Sequence, residues 1–296
     1  MIYNTVHTID FIRKWKNILI DLYGYDEYMD FFVVKSLSGI KTLSYIPFLN
    51  YTDRLNNNIL DLLELSKDNK YQIRVLNNNY KDFKDYDTVT MRLDISSGDY
   101  DKIFKNLIVS KCRNQIRKAE KSSLIFKIGN GELLSDFYKL FFDTMHKYGT
   151  PVFPKRLFEL ILNNIESKIC VVYFDDKPIS ALILLKDNDI SIVPWAASDS
   201  NYNKYCPNHL IYAEAIKYSI ENKSKIFDFG RSGYNTSKTY NFKKQWGAVP
   251  VKIDIISSEV INVYSKYTLA SKIWEKLPKS IIEFMGPKLC KYLVDL

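Results

Sequence analysis

The 296-residue chain is poor in the residues that build metal sites and disulfide frameworks, with four cysteines and three histidines. Cys112, Cys170, Cys206 and Cys290 are scattered with no C-x-x-C pair, and His7, His146 and His209 are equally dispersed, so the sequence indicates neither a zinc site nor a set of disulfides. No stretch approaches the roughly 18 uninterrupted apolar residues of a spanning helix. The opening MIYNTVHTIDFIRKWK carries charges where the apolar part of a signal peptide would lie, so the expectation is a protein that stays in the cytoplasm. Arginine is also scarce, eight residues against 34 lysines. Arginine's planar fork grips carboxylate or phosphate in a way lysine does not, which makes the few arginines worth locating.

What is present is the composition of a folded protein. With 46% hydrophobic and 26% charged residues, the chain can fill one large core or two medium ones, and disordered or collagen-like architectures are excluded. The formal net charge of +8 is concentrated. Residues 111–121 (KCRNQIRKAEK) and residues 221–247 (ENKSKIFDFGRSGYNTSKTYNFKKQWG) each carry +4, and the remainder sums to zero. Focused charge of this kind suits an anionic ligand received at a defined place, although basic helix faces that merely meet water give the same pattern.

Periodicity predicts a first block with a helix near 9–23, strands near 29–36 and 41–47, a helix near 54–68 and strands near 71–76 and 86–95. A long amphipathic helix over 100–121 follows and leads into the strand SLIFKIG. The second block reads as helices near 132–147 and 155–166, three strands (KICVVYFD, KPISALILLKD, DISIVPWAAS) joined by short turns, a helix near 208–221, the strand KIFDFG, a helix near 235–245 and the strand PVKIDIIS. This order is that of an acetyltransferase-type, GNAT-like domain, and the first block reads as a reduced version of it. The expected fold is therefore α/β (α+β): tandem GNAT-like acyltransferase domains with mixed or antiparallel sheets flanked by helices. The expected boundaries are a reduced domain at 1–99, a catalytic domain at 100–260 that includes the linking helix 100–121, and a basic amphipathic helical tail at 261–296.

Four segments carry candidate chemistry. In KCRNQIRKAEK, Lys111, Gln115 and Lys118 form one ridge and Arg113 with Arg117 an adjacent one, a side that can engage an extended anion or simply stay solvated. In HKYGTPVFPKRLFE, Gly149, Pro151 and Pro154 force a turn between helices, with the Thr150 hydroxyl at its tip; a pocket lining and a plain connector fit equally. Between Ser191 and Gly230 there is no glycine at all, so the tight glycine turn that cradles a CoA pyrophosphate at a helix N-terminus is missing. Asn208 is placed to cap the helix that starts there. In IFDFGRSGYNTSKTYNFKKQWG, alternation sends Phe227 and Phe229 to one side and Asp228 to the other, beside Arg231, followed by Ser232, Tyr240 and Lys243. An Asp228–Arg231 pair can hold an amine acceptor or clamp the turn, and Lys243 or Lys244 can stabilise an oxyanion.

The RNQIRKAEK helix, the YGTPVFPKRLFE loop, CPNHLIY, FDFGRS, FKKQWGA and the closing KIWEKLPKSIIEFMGPKLCKYL together resemble the FemAB-like family, in particular its exosortase-associated members. The resemblance runs from about residue 105 onward. It implies N-acyl or aminoacyl transfer to the amine of a cell-envelope glycan or peptidoglycan precursor, with Lys243 at the position of the family's functional lysine. It lacks the inserted helical arm of classical members, which puts classical tRNA binding in doubt. The candidate catalytic residues are Lys243, Asp228 and Arg231. The candidate substrate-binding residues are Arg113, Arg117, Lys111, Thr150, Asn208, Tyr212, Ser232, Tyr240 and Trp246, with no metal. No tightly bound cofactor is expected, only an activated acyl donor: aminoacyl-tRNA, acyl-carrier protein or acyl-CoA. Amine attack on an activated ester needs positioning, proton removal and oxyanion stabilisation, not a metal or a covalent nucleophile. The competing readings are an acyl-carrier-protein or acyl-CoA-dependent amino-sugar N-acyltransferase and a non-catalytic nucleic-acid or scaffold-binding protein. The tail 261–296 interleaves lysines with apolar residues, which fits packing on the domain or peripheral contact with the inner face of the membrane.

Overall fold

The computed structural model describes residues 7–28, 31–52, 70–77, 79–258 and 268–293. Helix α1 (Ile9–Tyr23) precedes strands β1 (Asp26–Tyr28), β2 (Phe31–Lys35), β3 (Lys41–Ser44), β4 (Lys70–Asn77) and β5 (Thr88–Asp94). Helices α2 (Tyr100–Asn106) and α3 (Ser110–Glu120) lead to β6 (Leu124–Gly129), then to α4 (Leu134–Lys147) and α5 (Lys155–Asn164). The strands β7 (Ser167–Phe174), β8 (Lys177–Asp187) and β9 (Ile190–Ser198) are followed by α6 (Pro207–Glu221), β10 (Ile226–Gly233), α7 (Lys238–Lys244) and β11 (Val249–Ser257). Helices α8 (Thr268–Trp274) and α9 (Lys279–Cys290) come last among the described residues. The helix expected near 54–68 lies outside the described residues, as does the start of the tail.

The chain forms two compact units that alternate along the sequence: residues 1–8, 77–141 and 165–253 make the first, and 9–76, 142–164 and 254–296 the second. In the first unit the strand order is β11-β5-β10-β9-β8-β7-β6. Neighbours are antiparallel except β9 and β10, which run parallel because α6 carries the chain back between them. Strands β7 and β8 are apolar on both faces, with Ile169, Cys170, Val171, Leu182 and Ile183 all buried, because helices cover the sheet. Helix α6 buries Leu210, Ile211, Ala213, Ala215 and Ile216 around most of its circumference, as a helix inside a core must.

The second unit arranges β1-β2-β3-β4 beside the last part of β11, where the Ser258 N–H donates to the Tyr71 carbonyl at 3.2 Å. Helix α1 places Phe11, Ile12, Trp15, Ile18 and Leu19 on one buried stripe, and the Trp15 Nε1–H reaches the Pro47 carbonyl at 3.0 Å. Phe153 of the loop before α5 is buried and meets Phe48 edge-on at 5.1 Å. Thr150 belongs to this unit; its N–H donates to the Met145 carbonyl at 3.0 Å, and its hydroxyl makes a long contact, 3.4 Å, to the Tyr148 carbonyl.

The linking helix expected over 100–121 is two helices. Apolar Leu107 and Ile108 continue the helical pattern, but the chain turns there and Val109 is extended (φ −65°, ψ 151°). Side chains close the break. The Arg113 Nη1–H group donates to the Lys105 carbonyl at 3.2 Å and to the Ile108 carbonyl, carbonyls that the end of a helix leaves without intrahelical partners.

Candidate functional site

Strands β9 and β10 share a parallel ladder only from Ile190/Ile226 to Ile192/Asp228. Beyond that level each continues with its other neighbour, β9 along β8 as far as Ser198 and β10 along β5 as far as Gly233. The sequence explains why they part. Between the Leu185–Ile192 and Ile183–Trp195 pairs, two β9 residues, Val193 and Pro194, oppose one residue of β8, and proline has no N–H to donate. Between the Asp228–Arg92 and Arg231–Thr90 pairs, Phe229 and Gly230 oppose one residue of β5, and Gly230 has φ +78°, a value that favours glycine. Two bulged strands at one level leave a crevice at the carboxyl ends of a parallel pair. The N-terminal turn of α6 lies after the same end of β9, the place where open α/β sheets take ligands.

The bulge in β10 is held from within. Asp228 and Arg92 are both fully buried; Asp228 Oδ2 accepts from Arg92 Nε at 3.1 Å, and Oδ1 accepts from Thr90 Oγ1 at 2.5 Å and from the Gly230 N–H at 2.7 Å. The partner of Asp228 is thus Arg92, not Arg231 as its place in the sequence suggested. With its oxygens committed and no exposed surface, Asp228 shapes the turn. That turn aims two carbonyls at one side chain. Lys243 Nζ donates to the Gly230 carbonyl and to the Arg231 carbonyl, each at 2.9 Å, from a residue only 7% exposed. Burial pushes the Lys243 pKa down to about 7; Asp228 opposes the shift and Arg231 adds to it. An ammonium has three N–H groups, and these two bonds leave one available to a ligand.

The surroundings of Lys243 fall into two sorts. Ser232, beside the bulge, has a buried hydroxyl oxygen without a hydrogen-bond partner among the described residues, as has the indole nitrogen of Trp246. Each orphan of this kind is a place where water or a ligand group is wanted. Tyr240 is buried with its pKa raised by desolvation, and its ring meets Tyr234 at 5.1 Å. Tyr212 and Trp246 are core residues: Tyr212 stacks on Phe229 at 5.2 Å and meets Trp246 at 6.2 Å. Both support the bulged strand from below. His209, in the first turn of α6, stacks near Trp246 and is driven down to about 4 by burial, so it is neutral at physiological pH.

The α6 cap differs from expectation. Cys206, in the left-handed region at φ 60°, occupies the cap position, and no side chain caps the helix. Asn208 Oδ1 instead accepts from Ser180 Oγ at 2.7 Å, and its Nδ2–H donates to Ser198 Oγ at 3.1 Å, tying the helix start to β8 and the end of β9.

The second basic segment meets the chain just ahead of the first through backbone. The Val109 N–H donates to the Gln245 carbonyl at 3.0 Å, and a Cβ on Gly247, which has φ +81°, would come within 2.8 Å of the Leu107 carbonyl. Arg113 turns its guanidinium onto the end of α2 at this joint, while Lys111 is exposed and Arg117 is exposed over the ring of Phe104 at 5.3 Å. The structure therefore brings Lys243, Arg231 and Ser232 together and gives Arg113 a structural task. Sequence reasoning missed Arg92, Thr90 and Pro194. Of these only Pro194 left a local signal, a proline inside an otherwise clean strand.

Residues 109–244 match the family model described as an acetyltransferase (GNAT) domain. The chain carries a GNAT domain. A lipid II:glycine glycyltransferase from Staphylococcus haemolyticus (strain JCSC1435) is 26% identical over 124 residues, a match that spans 40% of this chain and about a quarter (26%) of that protein. The crystal structure of FemX superposes with a TM-score of 0.56 at 15% identity, covering 83% of this chain and 85% of FemX. The structure of L-PGS from Bacillus licheniformis gives a TM-score of 0.54 at 10% identity over 90% of this chain and 97% of that one. These structural likenesses bear on the fold. Among the described residues no cluster of metal-ligating side chains occurs, and no helix is long and apolar enough to cross a membrane.

Proposed function

We propose that the chain is an N-acyl or aminoacyl transferase that acts on an amine of a cell-envelope glycan or peptidoglycan precursor. The observation that carries the reading is Lys243: a buried cation fixed by two carbonyls of a bulged strand, beside the crevice where β9 and β10 part. The relative named as a lipid II:glycine glycyltransferase supports the acceptor class.

In this reading the acceptor nitrogen attacks the carbonyl carbon of the activated acyl group. The C–N bond forms and the carbonyl oxygen takes up negative charge; as that oxygen re-forms the carbonyl, the bond to the donor's oxygen or sulfur breaks, and the proton lost by the nitrogen passes, directly or through water, to the departing oxygen or sulfur. The third N–H of the Lys243 ammonium donates to the developing oxyanion, in a site dry enough for that bond to count. Arg231 and the Ser232 hydroxyl position the anionic donor and the acceptor. Asp228, Arg92 and Thr90 hold the carbonyls that aim Lys243 and touch no substrate. An ammonium donor gives the kcat profile a descending limb near pH 7, where Lys243 loses its proton.

The donor is aminoacyl-tRNA or an acyl-carrier protein. The second reading, acyl-CoA with an amino-sugar acceptor, is favoured by the acetyltransferase description of the matching domain, and disfavoured by the absence of glycine between Ser191 and Gly230. Among acceptors, the exosortase-associated resemblance points to an exopolysaccharide and the glycyltransferase relative to peptidoglycan. The purified chain is incubated with each donor class and with amine-bearing precursors, and products are read by mass spectrometry, alongside the glycan and muropeptides of a deletion strain. Transfer lost in Lys243→Met, with the fold retained, supports the reading. Full transfer by that variant overturns the site.

A further inference from the structure

In the second unit, α9 has two unlike faces. Ile282, Gly286 and Cys290, four residues apart, are buried; a Cβ on Gly286 would lie 3.1 Å from Val152, and Cys290 Sγ–H donates to the Val152 carbonyl at 3.1 Å. Both contacts press the helix closely onto the loop before α5. The opposite face carries Ile281, Phe284, Met285 and Lys288 at the i, i+3, i+4, i+7 spacing of a single helical side. Three of these four are large apolar residues left in water: Phe284 is 67% exposed, and Ile281 and Met285 are 40% exposed. A helix that needed its apolar residues only for packing would not place three more on the outside.

The charges around this face identify its partner. Between residues 272 and 291 there are five lysines (Lys272, Lys276, Lys279, Lys288 and Lys291) against Glu275 and Glu283, a net +3 with no arginine or histidine. Lys272, Lys276, Lys279 and Lys288 are exposed, and of these Lys279 is ion-paired with Asp143. Lys288 Nζ lies 3.4 Å from the centre of the Phe284 ring, so the cation sits directly beside the apolar group. Lysine with a flexible stem next to an exposed aromatic and two aliphatic side chains is the arrangement that enters the headgroup boundary of a bilayer: the apolar groups insert and the ammonium groups remain among anionic headgroups. The preceding helix adds a further exposed apolar residue, Ile273.

We propose that α9 docks the chain onto an anionic lipid bilayer, inserting Ile281, Phe284 and Met285 while the surrounding lysines hold the headgroups. The inference stands apart from the transfer reaction; where both hold, it brings the enzyme to the surface on which a lipid-borne acceptor lies.

The test is co-sedimentation of the full chain with vesicles of phosphatidylcholine mixed with phosphatidylglycerol and with vesicles of phosphatidylcholine alone. Expected are binding to the mixed vesicles that weakens with salt, little binding to the neutral ones, and a loss of about tenfold or more in Phe284→Asp, whose side chain is exposed and whose melting temperature should not move. Phe284→Trp should bind like the parent chain and shift its emission to the blue on the mixed vesicles. Equal binding to both vesicle types, binding unaffected by Phe284→Asp, or no binding at all overturns the proposal. So does a concentration-dependent dimer that Phe284→Asp dissolves, which would assign the face to a second copy of the chain.

Discussion

Residues 111–121 and 221–247 carry the same net charge, +4 each, and the second is bonded through Gln245 to Val109, just ahead of the first, yet the fold treats them in opposite ways. The first lies on α3, whose lysines face water and whose one half-buried arginine closes the end of α2. The second winds through a bulged strand that draws Lys243 out of water and holds it by two carbonyls. Equal charge on paper thus becomes a solvated ridge in one place and a desolvated, pKa-shifted donor in the other. What separates them is burial, since a cation in water is screened and a cation in a dry crevice is not.

The contrast can be broken most severely at Lys243. Lys243→Met should lower kcat by about two to three orders of magnitude, the loss typical of removing one oxyanion donor, with KM for the acceptor little changed; steady-state kinetics on the product that mass spectrometry finds checks this. Next in size is the pair beneath the bulge. Asp228→Asn or Arg92→Met should each cost about 3–5 kcal/mol in denaturant unfolding, because each leaves a buried partner unmatched. If Asp228 only shapes the turn, a double variant with an apolar pair should lose less stability than the two single losses added together.

The third prediction concerns pH. The Lys243 pKa in the folded chain, about 7, lies below the 10.5 of an unperturbed lysine. Between these values the unfolded chain binds the additional proton, so stability rises with pH from about 7 to about 10.5, and the penalty is complete below about 7. Lys243→Met has no such penalty. Its stability relative to the parent chain should therefore be greatest near pH 6 and decline steadily above pH 7, as read by denaturant midpoints across that range; a pH-independent difference would show that Lys243 titrates normally.

Smaller effects belong to the other basic segment. Arg113→Ala should cost about 1.5–3 kcal/mol, the value of charge-assisted hydrogen bonds to carbonyls, without a change in kcat. Lys111→Gln together with Lys118→Gln should stay within about 0.5 kcal/mol of the parent in stability and weaken the anionic donor's binding only in low salt. A salt-independent loss of donor affinity in that pair would move the donor onto α3 and erase the contrast.

These differences also show which features can be read from sequence. The meander β7–β9 and helix α6 followed from alternation and spacing, and Lys243 was singled out by the FKKQWG resemblance, all of which are local. The break after Asn106 was hidden because Leu107 and Ile108 extend the apolar pattern through it, and only the fold reveals Arg113 turning back onto the carbonyls. Arg92 lies 136 residues from Asp228 in the chain, so no spacing rule connects them, while Arg231, three residues away, offered a nearer and misleading partner. The two units are discontinuous for a related reason: contacts, and not chain order, set their limits.

Strand β5, which supplies Thr90 and Arg92, lies wholly outside the segment 109–244 that matches the GNAT domain model. A fragment cut to that segment would take the Arg92 and Thr90 hydrogen bonds away from Asp228 and would leave the β5-facing side of β10 as a bare strand edge, ready to recruit another chain. The recognisable domain and the smallest piece able to fold are therefore different objects. Part of the difference is a strand contributed from upstream: residues 88–94 brace the bulge beneath Lys243 without supplying any group proposed to react.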